Sequence, residues 1–114
     1  MFFVLDLELM VEFYAYILGL KLIQETRLPN WAEFETGAAV FSLHSIPSEV
    51  TEQIHISTRP RENNPIKLSF EVDDLAATRK RLESRGATVI GRAWGAFDVI
   101  DPEGNIFGIY SGKA

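Results

Sequence analysis

Cysteine is absent from this 114-residue chain. Disulfides, thiolate zinc sites, iron–sulfur clusters and cysteine nucleophiles are excluded with it. Histidine is scarce, with His44 and His55 the only two. No apolar run approaches the ~18 residues of a membrane span. The opening M-F-F-V-L-D is a short apolar run without a basic flank, unlike a secretory signal. A cytoplasmic protein with no membrane partner is therefore expected. Basic residues are outnumbered 11 to 16, for a formal net charge of −5. Phosphate backbones require a basic patch, so no nucleic-acid partner is expected. No nucleophile elbow, phosphate-binding loop or dinucleotide fingerprint is present.

What remains is an ordinary globular composition, 46% apolar and 24% charged. The length fits one domain able to bury a core without staples. An internal repeat organises it. V-L-D-L at Val4–Leu7 matches V-D-D-L at Val72–Leu75, and L-G-L-K-L-I at Leu18–Ile23 matches R-G-A-T-V-I at Arg85–Ile90. W-A-E-F at Trp31–Phe34 matches W-G-A-F at Trp94–Phe97, and F-S-L at Phe41–Leu43 matches F-G-I at Phe107–Ile109. Each match alone is weak; their common order is the signal.

Each unit reads as βαβββ. Asp6, and Asp73 or Asp74, are placed to cap a helix. Leu9, Met10, Phe13, Tyr14 and Ile17 follow helical spacing, as do Leu75, Thr78, Arg79 and Leu82. Gly19 and Gly86 suit the left-handed position that ends a helix. Strands are expected over about 21–27, 31–35 and 39–45, and again over about 88–92, 93–100 and 105–111. The first module covers 1–45 and the second 66–114. Residues 46–65 form a proline-marked linker, in which T-E-Q-I-H-I-S has the alternation of a short extra strand.

D-P-E-G-N-I-F-G-I-Y, Asp101–Tyr110, raises a question. It reads as a turn feeding a strand, yet Gly108 sits mid-strand, where glycine costs roughly 0.5–1 kcal/mol relative to alanine. Glycine there marks a bend or a close approach by something else.

The paired modules, F-Y-x-x-x-L-G-L at the helix end from Phe13, F-E-V-D-D-L at Phe70–Leu75, R-G-A at Arg85–Ala87 and D-P-E-G-N at Asp101–Asn105 together resemble the vicinal oxygen chelate superfamily. Glyoxalase I, extradiol dioxygenases and fosfomycin- and bleomycin-resistance proteins belong to it. The resemblance covers nearly the whole chain. It implies an α+β fold: two βαβββ modules forming a cupped mixed β-sheet, helices outside and a ligand cavity within. It is unspecific for activity, because one scaffold hosts many chemistries.

Enzymes of that superfamily usually hold a divalent metal, bound from the first and last strands of each module. Carried onto this chain, those positions fall on Lys67, Gly108, Ser42 and a place before Met1. Glycine offers no donor, an ammonium repels a cation, and serine alone is a poor ligand. No metal and no other cofactor are expected, unless His44, two residues from Ser42 and on the same strand face, anchors a rearranged site.

Strand alternation sorts the rest. Lys67, Ser69 and Glu71 face the cup, as do Val40, Ser42 and His44, then Ile106, Gly108 and Tyr110, with Phe3 beside them. Trp31 and Trp94 join them if register holds, next to Glu33 and Asp98. The candidate ligand-binding set is therefore Trp31, Ser42, His44, Lys67, Ser69, Trp94, Gly108 and Tyr110. Each has a plain structural rival. The tryptophans serve as packing, Lys67 as the partner of Glu33, Glu71 or Asp98, His44 as a surface residue, and Tyr110 as a strand cap. In a binding role Lys67 holds a carboxylate or phosphonate, or acts as a base if burial lowers its pKa.

Four functions compete. The favoured one is a metal-free binder that sequesters a small molecule, as bleomycin-resistance proteins do; the resemblance implies a homodimer. A metal-dependent lyase or dioxygenase is the alternative. A metal-independent enzyme using Lys67 or His44, and a regulatory subunit with a vestigial pocket, complete the set.

Overall fold

A computed structural model describes residues 1–52 and 57–112, and of Trp94 the backbone alone. The chain forms two units, Met1–Ser57 and Thr58–Ala114. The first contains β1 (Phe2–Val4), α1 (Leu7–Glu12), β2 (Lys21–Leu22), β3 (Trp31–Glu35), β4 (Val40–Ser45) and a short α2 (Ser48–Thr51). The second contains β5 (Ser69–Glu71), α3 (Leu75–Ser84), β6 (Thr88–Gly91), β7 (Phe97–Ile100) and β8 (Ile106–Tyr110). Each unit carries a four-stranded mixed sheet, ordered β1-β4-β3-β2 and β5-β8-β7-β6. In both, the first strand runs parallel to the last and the other pairs are antiparallel. This is the expected α+β arrangement of two βαβββ modules. The short strand read within 51–57 falls mostly on residues outside those described.

In the first unit the Asp6 carboxylate accepts from Leu9 N at 3.1 Å and caps α1. Met10, Phe13 and Tyr14 are buried, and the Tyr14 ring lies 5.0 Å from Phe41 and 6.3 Å from Phe34. The helical spacing expected to run to Ile17 widens into a π-helical turn at Phe13–Ile17. Leu18 N donates to Phe13 O at 2.9 Å, closing the wider ring. Gly19, at φ +88°, then ends the helix.

The strand expected over 21–27 stops at Leu22. Ile23 N still donates to Glu33 O at 2.8 Å, but Gln24–Thr26 then closes a 3-10 turn. Beyond it, the Arg27 guanidinium donates to Trp31 O at 3.0 Å and also meets Leu28 O and Glu8. The two carbonyls are also paired through the backbone, Leu28 N donating to Trp31 O at 3.0 Å and Trp31 N to Leu28 O at 3.2 Å.

In the second unit Asp74, not Asp73, caps α3, accepting from Ala77 N at 3.0 Å. Thr78 and Leu82 are buried. Arg79 lies 6.0 Å from the Phe97 ring centroid, so α3 covers the face that carries Phe97, Val99, Phe107 and Ile109, all buried. The strand expected over 93–100 is shorter. Ala93–Gly95 forms a 3-10 turn, with Gly95 at φ +81°, and β7 begins at Phe97.

Strand register also corrects one repeat match. Glu33 pairs with Ser42, and Asp98 pairs with Gly108. Since F-S-L matches F-G-I, Glu33 is the counterpart of Asp98, and Trp31 of Ala96. Trp31 and Trp94 are not equivalent: one sits on a strand, the other in the turn before one.

The D-P-E-G-N turn anchors the segment that enters the second unit. Asp101 accepts from Glu103 N at 2.9 Å, Asn105 N at 3.0 Å and the Asn105 amide at 2.8 Å. Arg61 N donates to Gly104 O at 3.0 Å, and its guanidinium to Glu103 O at 2.9 Å. Gly104 is at φ +81°, and a Cβ there would stand 2.5 Å from Thr58 O and collide with Arg59 O. Gly37 is also left-handed, at φ +101°, but nothing lies within 4 Å of a Cβ there. Gly104→Ala is predicted to cost about 2 kcal/mol or more, from backbone strain plus the clash. Gly37→Ala should cost only the strain of about 1 kcal/mol. Thermal unfolding of the two variants checks this ordering.

Candidate ligand-binding site

Alternation across β5, β8 and β7 brings Ser69, Gly108 and Asp98 into one row, since Gly108 pairs with both of the others. A Cβ on Gly108 would stand 2.9 Å from Ser69 Oγ and 3.4 Å from Asp98 Oδ1. The mid-strand glycine is thus explained: its missing side chain is the space that the Ser69 hydroxyl and the Asp98 carboxylate occupy. Of the two readings of a mid-strand glycine, a bend or a close approach, it is the close approach that holds here, from within its own sheet.

Asp98 is the hub of that row. Its side chain is only 4% exposed, and a buried carboxylate must be paired. Lys67 Nζ lies 2.7 Å from Oδ2. Arg92 brings Nε to 2.8 Å and Nη2 to 2.7 Å of the same oxygen. Nη2 of Arg92 also meets Glu62. The Asp98 hydrogen bond, then that of Glu62, raises the Arg92 pKa above its already high ordinary value, so the guanidinium is charged at every working pH.

An open concavity of about 350 Å³ lies over this cluster. Lys67, Arg92, Ser69 and Tyr110 supply its polar lining, and Ala93 and Ala96 its apolar wall. Four of the residues expected at the site are therefore brought together: Lys67, Ser69, Gly108 and Tyr110. Trp94 belongs to the turn Ala93–Gly95 beside them, and its side chain lies outside the described structure. Lys67 takes the partner expected for it in its structural role, Asp98.

The other three lie in the first unit, on the open face of its sheet. Trp31 and His44 are a register pair with ring centroids 5.9 Å apart. Phe3 lies 5.5 Å from His44, and Ser42 pairs with Glu33. Trp31 Nε1 donates to Glu33 Oε1 at 2.7 Å. His44 Nδ1 donates to Ser45 O at 2.6 Å, because a carbonyl only accepts. The indole donor and one imidazole nitrogen are thus engaged within the sheet.

Arg92 is the residue that the sequence reading missed as part of the site. The pairing places it: Ile90 pairs with Asp98, so Arg92, two residues on, keeps the same face. It was missed because Arg92 ends its strand next to a turn.

The donor set does not fit the divalent metal that the resemblance implies. At the second unit's two positions stand Gly108, without a donor atom, and an ammonium already bound to the nearest carboxylate. Among the described residues no group of three or more His, Asp or Glu side chains is placed to hold an ion. The rearranged site around His44 finds no such group either.

Comparison with known proteins agrees with the fold. The glyoxalase-like domain family model matches residues 2–110. A protein of unknown function from Agrobacterium tumefaciens str. C58 is 27% identical, with a TM-score of 0.71 over 96% of this chain and 88% of that one. A lactoylglutathione lyase from Agrobacterium tumefaciens is 26% identical, with a TM-score of 0.69 over 98% and 90%. TnmS3, an antibiotic-binding protein from Streptomyces sp. CB03234, is 23% identical, with a TM-score of 0.66 over 96% and 88%, a likeness of fold alone. No curated protein matches the sequence. A family model that spans nearly the whole chain, on a fold that repeats βαβββ twice, makes this chain a member of the glyoxalase-like domain family.

Proposed function

We propose that this protein binds a small molecule without a metal, on the open face of its second sheet. The single observation that carries this reading is the Lys67–Asp98 pair. A lysine stands where the superfamily's enzymes usually present a metal ligand, and its ammonium is fixed 2.7 Å from a buried carboxylate beneath a concavity of ligand size. The TnmS3 neighbour is described as antibiotic-binding, which supports a binding role on this scaffold. The lactoylglutathione lyase neighbour keeps a metal-dependent lyase as the alternative, and the donor set here argues against it.

Association into a homodimer is part of the proposal. β1 is the edge of its sheet, and Phe3, 59% exposed, lies on it between the exposed Met1 and Leu5. An apolar strand edge is a template for pairing. Sedimentation equilibrium should return a dimer mass for the native chain, and Phe3→Lys should shift the population towards monomer.

Ligand binding has its own test. A ligand that binds only the folded state stabilises it, by about 2.7 kcal/mol at a hundredfold excess over Kd. Thermal-shift screening of a small-molecule set spanning anionic, neutral and cationic members should yield saturable stabilisation. Ala93→Trp, which fills the concavity from an exposed position, should abolish it. A set that never stabilises the native chain, or stabilises Ala93→Trp equally, sinks the proposal.

A further inference from the structure

Charge accessibility on the second sheet is one-sided. Asp98 is buried, with a side chain 4% exposed, whereas Lys67 and Arg92 above it are 48% and 35% exposed. Both cations meet Asp98 at the single oxygen Oδ2, and Arg92 Nη2 meets Glu62 as well. An ammonium carries three donors and a guanidinium five. Lys67 therefore keeps two N–H groups, and Arg92 its Nη1 amino group, with no acceptor among the described residues. Among the residues lining the concavity, two positive charges face one negative charge, and the negative one lies underneath.

Two other carboxylates are close, and neither lines the concavity. Glu62 meets Arg92 from outside the lining. Glu71, next along β5 on the same face, places its carboxylate against Gly112. The lining itself thus carries the opposite sign to the whole chain, whose formal net charge is −5. An acidic protein that exposes paired cations over a hidden carboxylate has a focused field for an anion. Ser69 and the half-exposed Tyr110 add hydroxyl donors at the same floor, and Ala93 and Ala96 give the apolar side.

We propose that the concavity takes a small organic anion, a carboxylate or phosphonate on an aromatic or apolar body, with its acidic head between Lys67 and Arg92. The proposal rests on the binding role above and specifies its ligand class. Guanidinium and ammonium donors are suited to such oxygens, and the bonds are charge-assisted. Lys67 and Arg92 would be ligand-contacting residues, with Asp98 positioning both.

The probes are benzoate and phenylphosphonate, with benzyl alcohol and benzylammonium as neutral and cationic counterparts of similar size. Binding is followed by amide chemical-shift changes in full-length protein. The two anions should bind saturably, perturb Lys67, Ser69 and Tyr110, and weaken as salt is raised. Benzyl alcohol should bind at least tenfold more weakly, and benzylammonium not at all. Lys67→Met should lower benzoate affinity by about tenfold, the effect of losing one charge-assisted bond. Lys67→Arg, which keeps the charge, should restore most of it. Should Lys67→Met fail to fold, the comparison of the four probes on the native chain decides alone. Benzylammonium or benzyl alcohol binding as tightly as benzoate overturns the anion assignment while leaving the binding role standing. No saturable binding by any probe overturns the anion assignment as well, and the wider thermal-shift set then decides the binding role.

Discussion

An ionised carboxylate buried on a β-strand must be paired, and Asp98 imposes that condition on the second sheet. Four elements meet its terms. The segment before β5 supplies Lys67, the end of β6 supplies Arg92, β7 carries Asp98, and β8 presents Gly108, whose bare Cα leaves room for Asp98 Oδ1 and Ser69 Oγ. Withdrawing a carboxylate from water costs several kcal/mol before its partners are counted. Lys67 stays half in water, so its pairing recovers less than a fully buried bridge would. Arg92 contributes a second, two-nitrogen contact to the same oxygen. The register of the strands, the glycine in mid-strand and the sign of the exposed charge all follow from accommodating this one group.

The first unit solves the equivalent position differently. Glu33, the counterpart of Asp98, is half-buried and takes its hydrogen bond from the Trp31 indole. Among the described residues no cation pairs with it, and the surrounding face is aromatic: Trp31, His44 and Phe3 lie within ring contact. One module architecture thus carries an acid at the same strand position twice. In one unit it organises an aromatic face, and in the other a cationic one. Duplication followed by divergence of the partners, with the strand framework kept, accounts for both.

Much of this was legible in the sequence because the deciding physics is local. Asp6 caps within three residues, Gly19 and Gly86 end helices through backbone freedom, and strand alternation puts Lys67, Ser69, Gly108 and Tyr110 together. What was not legible depended on partners distant in sequence. The strand from Lys21 ends early in the turn Gln24–Thr26, beyond which the Arg27 guanidinium reaches Glu8. The matched tryptophans fall out of register because Gly95 turns the chain before β7. The meaning of Gly108 lies in Ser69, on a parallel neighbour that only the folded sheet reveals. Arg92 was missed because a strand-end residue shows its face only once the pairing of Ile90 with Asp98 is known.

The account turns on Lys67, bound to Asp98, and Gly108 standing where a metal site would require donors. The most direct test is metal content by plasma mass spectrometry. The protein is purified without chelator, then measured again after incubation with Mn, Fe, Ni and Zn followed by desalting. Metal at background in every sample is the predicted result, because a bound ammonium and a glycine leave no coordination set. A tightly held, stoichiometric metal in any sample would contradict the account and return this chain to the metal-dependent chemistry of its relatives.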